Sequence, residues 1–242
     1  MNIALIFAGG VGSRMNSKEL PKQFLRIYDK PIIVHTIEHF EKNAQIDAIV
    51  VVCVSDWIDY FKELVFKYHL QKIRRIVPGG KTGQLSIYNG LLATKEIAQD
   101  EKNVVLIHDG VRPLINENLI SRNIESVQKY GSSITSGIVK ETIVEINDDG
   151  DIKTVPDRAH SRVAKAPQCF WLDDILSAHH KALDAGRDDF IDSCSMMQYY
   201  GFHLHMIDGP YENIKITTPE DFYTMRAVLQ VKEDAQIYGI NA

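Results

Sequence analysis

Residues Ala48 to Val54 read Ala-Ile-Val-Val-Val-Cys-Val, with no polar side chain to turn toward water. A strand with one wet face alternates polar and apolar residues, whereas an unbroken apolar run suits a strand covered on both faces. Ile3–Phe7 and Asn103–Ile107 are comparable runs, and Arg75–Val77 is a shorter one. Stretches of helical periodicity separate them. Pro31–Lys42 carries Ile33, Ile37 and Phe40 on one face. Asp56 is placed to cap a helix containing Phe61, Leu64, Val65 and Tyr68. Thr82–Ala98, with Leu85, Tyr88, Leu91 and Leu92 inward, and Asn116–Lys129 complete the pattern. This alternation predicts an α/β fold, a doubly wound and mostly parallel sheet.

The rhythm changes between about residues 140 and 165. Thr142–Ile146, the turn Asp148-Asp149-Gly150-Asp151, and Ile152–Val155 have the form of a hairpin too polar for a sheet centre. They predict a β-arm projecting from one domain that spans residues 1–242. Helical and strand character returns with Asp173–Ala185, Phe202–Ile207 and a helix from Pro219.

The glycine segment Ala8-Gly9-Gly10-Val11-Gly12-Ser13-Arg14-Met15 leaves the first strand, and Pro21-Lys22-Gln23 follows shortly after. Backbone N–H groups in such a loop can wrap a polyphosphate, and Arg14 and Lys22 add fixed positive charge. A dinucleotide fingerprint fails here, because Met15 stands where its third glycine belongs. Gly79-Gly80-Lys81-Thr82 looks like the end of a Walker A loop, but Arg75 occupies the place of the upstream glycine. The two glycines instead suit a strand-to-helix turn, or a turn against which a flat base lies with Ser86 one helical turn on. His108-Asp109-Gly110-Val111-Arg112-Pro113 ends a buried strand. Asp109 there could hold a magnesium ion, which needs only one or two carboxylates plus phosphate oxygens. Arg112 either pairs with Asp109 alone or also grips a phosphate. Lys215 lies in what reads as a short strand, Asn213–Thr217, where an anionic ligand or a snorkelling edge position would explain it. Thr142 and Arg158 read as solvated surface on composition alone, and His179-His180 as a surface pair.

The net charge of −5 argues against general nucleic-acid binding. The three cysteines, Cys53, Cys169 and Cys194, are odd in number, lack metal spacing and fit a reducing compartment. The nine histidines form no zinc motif. No apolar run approaches the roughly 20 residues that cross a bilayer, and the first residues lack a basic leader. A cytoplasmic protein with neither membrane nor nucleic-acid partner is expected.

Ala8–Met15, Pro21-Lys22-Gln23-Phe24-Leu25, Gly79–Ser86, His108–Pro113, Pro156–Phe170 and Asn213–Thr217 together resemble the cytidylyltransferases that activate sugar-alcohol phosphates with CTP. The resemblance covers nearly the whole chain and implies a Rossmann-like nucleotidyltransferase fold. It also implies that Ala8, Gly9 and Gly10 hold CTP and that Gly80, Lys81 and Ser86 recognise cytosine. Arg14, Lys22 and Lys215 would carry catalysis, with Asp109 on Mg²⁺. Arg112, Thr142 and Arg158 would bind the alditol phosphate, the last two reaching into a second copy of the chain in a homodimer. Two positions depart from the family pattern. Gly83 replaces an arginine, and Ala166-Pro167-Gln168 replaces Thr-Pro-Gln. The family has two branches, acting on D-ribitol 5-phosphate and on 2-C-methyl-D-erythritol 4-phosphate. Ala8-Gly9-Gly10, Leu20–Leu25, Asp56-Trp57 and Pro156–His160 look more like the ribitol branch. A catalytically silent nucleotide-binding regulator and an NAD-dependent oxidoreductase are the rival readings.

Overall fold

A computed structural model describes residues 1–10, 20–99 and 102–238. Its strands are β1 (Asn2–Ala8), β2 (Arg26–Ile27), β3 (Lys30–Pro31), β4 (Ala48–Cys53), β5 (Ile73–Pro78), β6 (Val104–Asp109), β7 (Ser132–Ile138), β8 (Glu145–Ile146), β9 (Ile152–Thr154), β10 (Arg162–Trp171) and β11 (Met206–Asp208). Its α-helices are α1 (Ile32–Lys42), α2 (Ile58–Lys67), α3 (Gly83–Ile97), α4 (Glu117–Tyr130), α5 (Leu172–Asp184), α6 (Ser193–Tyr199) and α7 (Pro219–Tyr238).

Seven strands form one sheet in the order β11-β7-β10-β6-β1-β4-β5. All neighbours in it are parallel except β10, which runs antiparallel to β6 and β7. Every residue of β4 is buried. Ile49, Val51 and Cys53 pack with α1, α2 and α4 on one face, while Ala48, Val50 and Val52 pack with α3, α5 and α6 on the other. The expected doubly wound, mostly parallel sheet is present, and its unbroken Val/Ile runs exist because helices cover both faces. Winding reverses between β1 and β6, and in such sheets a ligand crevice opens there, beyond the carboxyl ends of the strands. A smaller apolar cluster of Ile27, Ile32, Val111, Leu114, Ile216 and Met225 ties the chain before α7 to the segment leaving β6.

Several local expectations change. Ser55–Trp57 is a 3₁₀ turn, so the cap of α2 falls at Trp57 and Asp56 makes no capping bond. Leu92 points outward, 42% exposed, because α3 turns a narrower face to the sheet. Residues 214–217 form no strand. His179 is buried beneath Tyr88, with the rings stacked 5.6 Å apart, and only His180 is nearer the surface. The sequence reading found neither β7 nor α6. It also ran the arm through residues 162–165, which belong to β10 in the main sheet.

The arm itself is present as the hairpin β8–β9, pairing Glu145 with Thr154 and Ile146 with Ile152. Asn147 Oδ1 accepts from the N–H groups of Asp149 and Asp151 and closes its turn. Among the described residues nothing covers Ile146 or Ile152, which are 62% and 65% exposed.

Thr82 caps α3, its Oγ1 accepting from Leu85 N at 3.2 Å. Thr82→Ala is expected to lower unfolding free energy by about 1 kcal/mol, as losses of helix caps do. A urea midpoint equal to that of the parent would contradict this.

Candidate active site

Three segments leave the carboxyl ends of the central strands. The first leaves β1 at Ala8. Gln23, 1% exposed, donates from Nε2 to Ala8 O at 2.8 Å and so bolts the 3₁₀ turn Lys22–Phe24 to the end of β1. Phe24 anchors that turn among Trp57, Tyr60 and Phe61. Lys22, the residue before Gln23, is thereby carried on the turn fastened to the end of β1. Arg14 lies outside the described residues.

The second loop follows β5. Gly79 N donates to Cys53 O at 3.0 Å, which lays the turn across the end of β4. The Gly9 and Gly79 backbones close on each other around Ser86. A side chain added at Gly9 would come within 3.5 Å of Ser86 Oγ, and one at Gly79 within 3.1 Å. The Ser86 hydroxyl donates to Thr82 O at 2.8 Å and accepts from Gly80 N at 2.9 Å. Its hydrogen is therefore spent on shaping the turn, which leaves main-chain groups for a ligand. Lys81 is exposed at the same turn.

The third loop leaves β6. Asp109 Oδ2 accepts from Arg112 Nε at 2.8 Å, and its Oδ1 pairs with Lys215 Nζ at 2.7 Å. The Asp109 and Arg112 side chains are 16% and 13% exposed, against 40% for Lys215. Burial alone would raise the Asp109 pKa, but Lys215 and Arg112 override it and hold the carboxyl well below its ordinary range. Lys215 reaches Asp109 because the chain around it is docked on the β6 loop. Ile216 N donates to Val111 O at 2.9 Å and Arg112 Nη1 to Asn213 O at 3.3 Å. His108 lies beneath, donating from Nε2 to Arg112 O at 3.0 Å, and burial pushes its pKa down to about 4. A neutral imidazole therefore supports the loop without adding charge.

A cavity of about 250 Å³ adjoins this cluster, lined by Asp109, Arg112 and Lys215 and also by Gln84, Gln168 and Asp192. Thr142 and Arg158 do not line it. Both are exposed at the root of the arm, where Arg158 Nη1 donates to Lys140 O at 3.1 Å.

Among the described residues no group of three or more His, Cys, Asp or Glu side chains could hold a metal ion. Asp109 suits a more limited role. Each of its carboxylate oxygens accepts one cationic donor and keeps a further acceptor site. That is the single carboxylate a phosphate-borne Mg²⁺ needs.

Of the residues singled out from the sequence, Asp109, Arg112 and Lys215 line the cavity, whereas Gly9 and Gly80 gather around Ser86 at the turn after β5, and Ala8 and Gly10 at the end of β1 do not line it. The sequence reading gave no role to Gln23 or Lys165. Gln23 adjoins Lys22 in the quoted motif. Lys165 lies inside the Pro156–Phe170 landmark, just before Ala166-Pro167-Gln168, and a lone lysine within that segment was the available signal.

The family of 2-C-methyl-D-erythritol 4-phosphate cytidylyltransferases matches residues 2–231. The chain belongs to this family. Within it, the chain is 55% identical over 240 residues to a ribitol-5-phosphate cytidylyltransferase of Streptococcus agalactiae serotype V, covering 99% of this chain and 100% of that one. It is 40% identical over 230 residues to a 2-C-methyl-D-erythritol 4-phosphate cytidylyltransferase of Clostridium novyi, covering 95% and 96%. Among solved structures, 4-diphosphocytidyl-2C-methyl-D-erythritol synthase from Anaerococcus prevotii superposes with a TM-score of 0.82 at 29% identity, over 95% of this chain and 96% of that one. As a cytidylyltransferase the chain is a nucleotidyltransferase enzyme, which disposes of the oxidoreductase and silent-regulator readings. None of its described helices is long and apolar enough to cross a membrane.

Proposed function

We propose that this enzyme transfers the cytidylyl group of CTP to D-ribitol 5-phosphate, forming CDP-ribitol and pyrophosphate. The Arg112–Asp109–Lys215 cluster at the sheet's switch point supports the reaction type. One observation carries the choice of acceptor: identity of 55% to a ribitol-5-phosphate enzyme over the full chain, against 40% to a methylerythritol-phosphate enzyme.

The base would lie against the Gly80 turn, with the triphosphate over Gly9 and Gly10 and held by Arg14 and Lys22. A phosphate oxygen of the acceptor attacks the α-phosphorus of CTP in line. The bond from that phosphorus to the β-phosphate oxygen breaks, and pyrophosphate carries away the electron pair. A phosphate monoester is largely ionised near neutral pH, its second pKa being about 6, so no side chain need remove a proton. Lys215 and Arg112 lie where two anions must approach each other. Their fixed charge offsets that repulsion and the charge that grows at the α-phosphate. Asp109 orients both cations and could add one carboxylate oxygen to Mg²⁺ on the phosphates. When bound, the ion neutralises phosphate charge as a Lewis acid.

Thr142 and Arg158 would complete the acceptor site of a second copy of the chain. The uncovered apolar side chains of the arm, Ile146 and Ile152 among them, support a homodimer built through it. The domain would then be residues 1–242, with a dimerisation arm near 140–161, and the enzyme would work in the cytoplasm.

A pyrophosphate-release assay with Mg²⁺ tests this by pairing CTP or UTP with ribitol 5-phosphate or methylerythritol 4-phosphate. CTP with ribitol 5-phosphate should give a kcat/KM at least about 10²-fold above the other pairings, a discrimination within reach of differential transition-state binding. Preferred turnover of methylerythritol 4-phosphate would overturn the acceptor assignment.

A further inference from the structure

Resting on that reading, we propose that Lys165 is a third cation of the acceptor-phosphate site, beside Arg112 and Lys215.

The strand carrying Lys165 is built irregularly at this point. β10 pairs with β7 at Arg162–Ile138, Val163–Gly137 and Ala164–Ser136, and the register then shifts before Gln168–Ile134. In a regular strand successive side chains point to opposite faces. Across the shift, Ala164, Lys165, Ala166 and Gln168 all line the cavity that holds Arg112 and Lys215. Gly137 on β7, the partner of Val163, leaves room for the lysine stem. A side chain at Gly137 would come within 2.8 Å of Lys165 Cε.

The ammonium is held but not neutralised. Lys165 Nζ donates to Tyr211 O at 3.1 Å, and among the described residues no carboxylate lies within ion-pair distance of it. An ammonium has three donors, so two remain for a ligand. Burial, then the nearby Arg112, lower its pKa, while Glu212 works weakly the other way. Arg112 and Lys215 already occupy both oxygens of Asp109. The cavity thus gathers three cations and two carboxylates, Asp109 and Asp192. Asp192 is engaged elsewhere, capping α6 and accepting from Gln168 Nε2 at 2.9 Å, so the wall of Arg112, Lys165 and Lys215 keeps an excess of positive charge to place on an anion.

The sheet order says which anion. Gly9 follows β1, the Gly80 turn follows β5 and lies across the end of β4, Asp109 ends β6, and β10 is the next strand beyond β6. A nucleotide that starts at the Gly80 turn and brings its α-phosphate to Asp109 leaves the β10 side for the incoming phosphate. Arg112 and Lys215 then serve both reacting phosphates, whereas Lys165 meets only the acceptor's.

Lys165→Met and Lys165→Arg, made in the full chain, test this by steady-state kinetics with each substrate varied in turn. Wild-type turnover of CTP with ribitol 5-phosphate comes first, and its absence would remove the proposed function itself. Given that turnover, Lys165→Met should raise KM for ribitol 5-phosphate at least about tenfold, the value of one charge-assisted hydrogen bond. KM for CTP should change less than about twofold, and Lys165→Arg should recover most of the loss. An unchanged acceptor KM, or an equal rise in both KM values, would overturn the inference. Should Lys165→Met fail to fold by circular dichroism, Lys165→Gln is read by the same criteria.

Discussion

Replacing Lys215 with alanine should leave a folded protein whose kcat is lower by on the order of 10²- to 10³-fold, the usual cost of removing one preorganised charge donor at a reacting centre. The ion pair with Asp109 sets both the site and the size of this effect. Lys215 Nζ lies 2.7 Å from Oδ1 of a carboxylate that Arg112 also holds. Its position is determined before any substrate arrives, so no reorganisation is charged to the chemical step. The lysine is 40% exposed, and its loss therefore leaves Asp109 partly compensated by Arg112 and by water. The stability cost should be small beside the catalytic one. An enzyme with kcat within about threefold of wild type would remove Lys215 from the reacting centre.

The second large effect is on stability in acid, and it comes from His179. This imidazole is 1% exposed and stacked on Tyr88 of α3, with neither nitrogen hydrogen-bonded. Burial first, then the neighbouring His180, pushes its pKa down to about 4 from an ordinary 6.5. Between those two values the unfolded chain binds a proton at this residue that the folded chain refuses. Stability is therefore unaffected by it above pH 6.5 and is progressively lost as pH falls toward 4. The full loss is roughly 3 kcal/mol for a shift of this size. His108, also pushed to about 4, adds a similar slope through a different part of the core. His179→Phe keeps a ring against Tyr88 and removes two buried nitrogens without partners, so it should stabilise the protein even near neutrality. Urea unfolding at pH 6.5 and at pH 4 should show the variant losing about 3 kcal/mol less than wild type over that interval. Equal losses in the two proteins would show that His179 is already protonated, or already solvated, in the native state.

Much of the fold was legible in the chain because it depends on local pattern. The unbroken run of β4 and the helical face of α1 report burial directly, since side-chain direction follows the backbone period. The hairpin arm was legible for the opposite reason, as a polar interruption in that rhythm. β10 was misread because its first residues are exposed and its register shifts near Ala166, so neither alternation nor a continuous apolar run survives there. The segment around Lys215 has an apolar strand's composition yet forms none. Ile216 is buried against Val111 and Leu114 on the β6 loop rather than within a sheet.

The site divides in the same way. Gly9, Gly80, Asp109 and Arg112 could be chosen from the sequence, because glycine turns and charged residues at strand ends are local statements about backbone and charge. The sequence alone determined that strands covered on both faces would present glycine loops and cations at one edge. Only the tertiary structure decided that Lys215, 106 positions beyond Asp109 by numbering (215 − 109), closes on its carboxylate. It alone put Lys165 on the same wall and left His179 beneath Tyr88 with no hydrogen-bond partner. The physical reason is that long-range contact follows from how apolar faces dock. A residue's own neighbours in the chain determine which way it points, but not what it meets there.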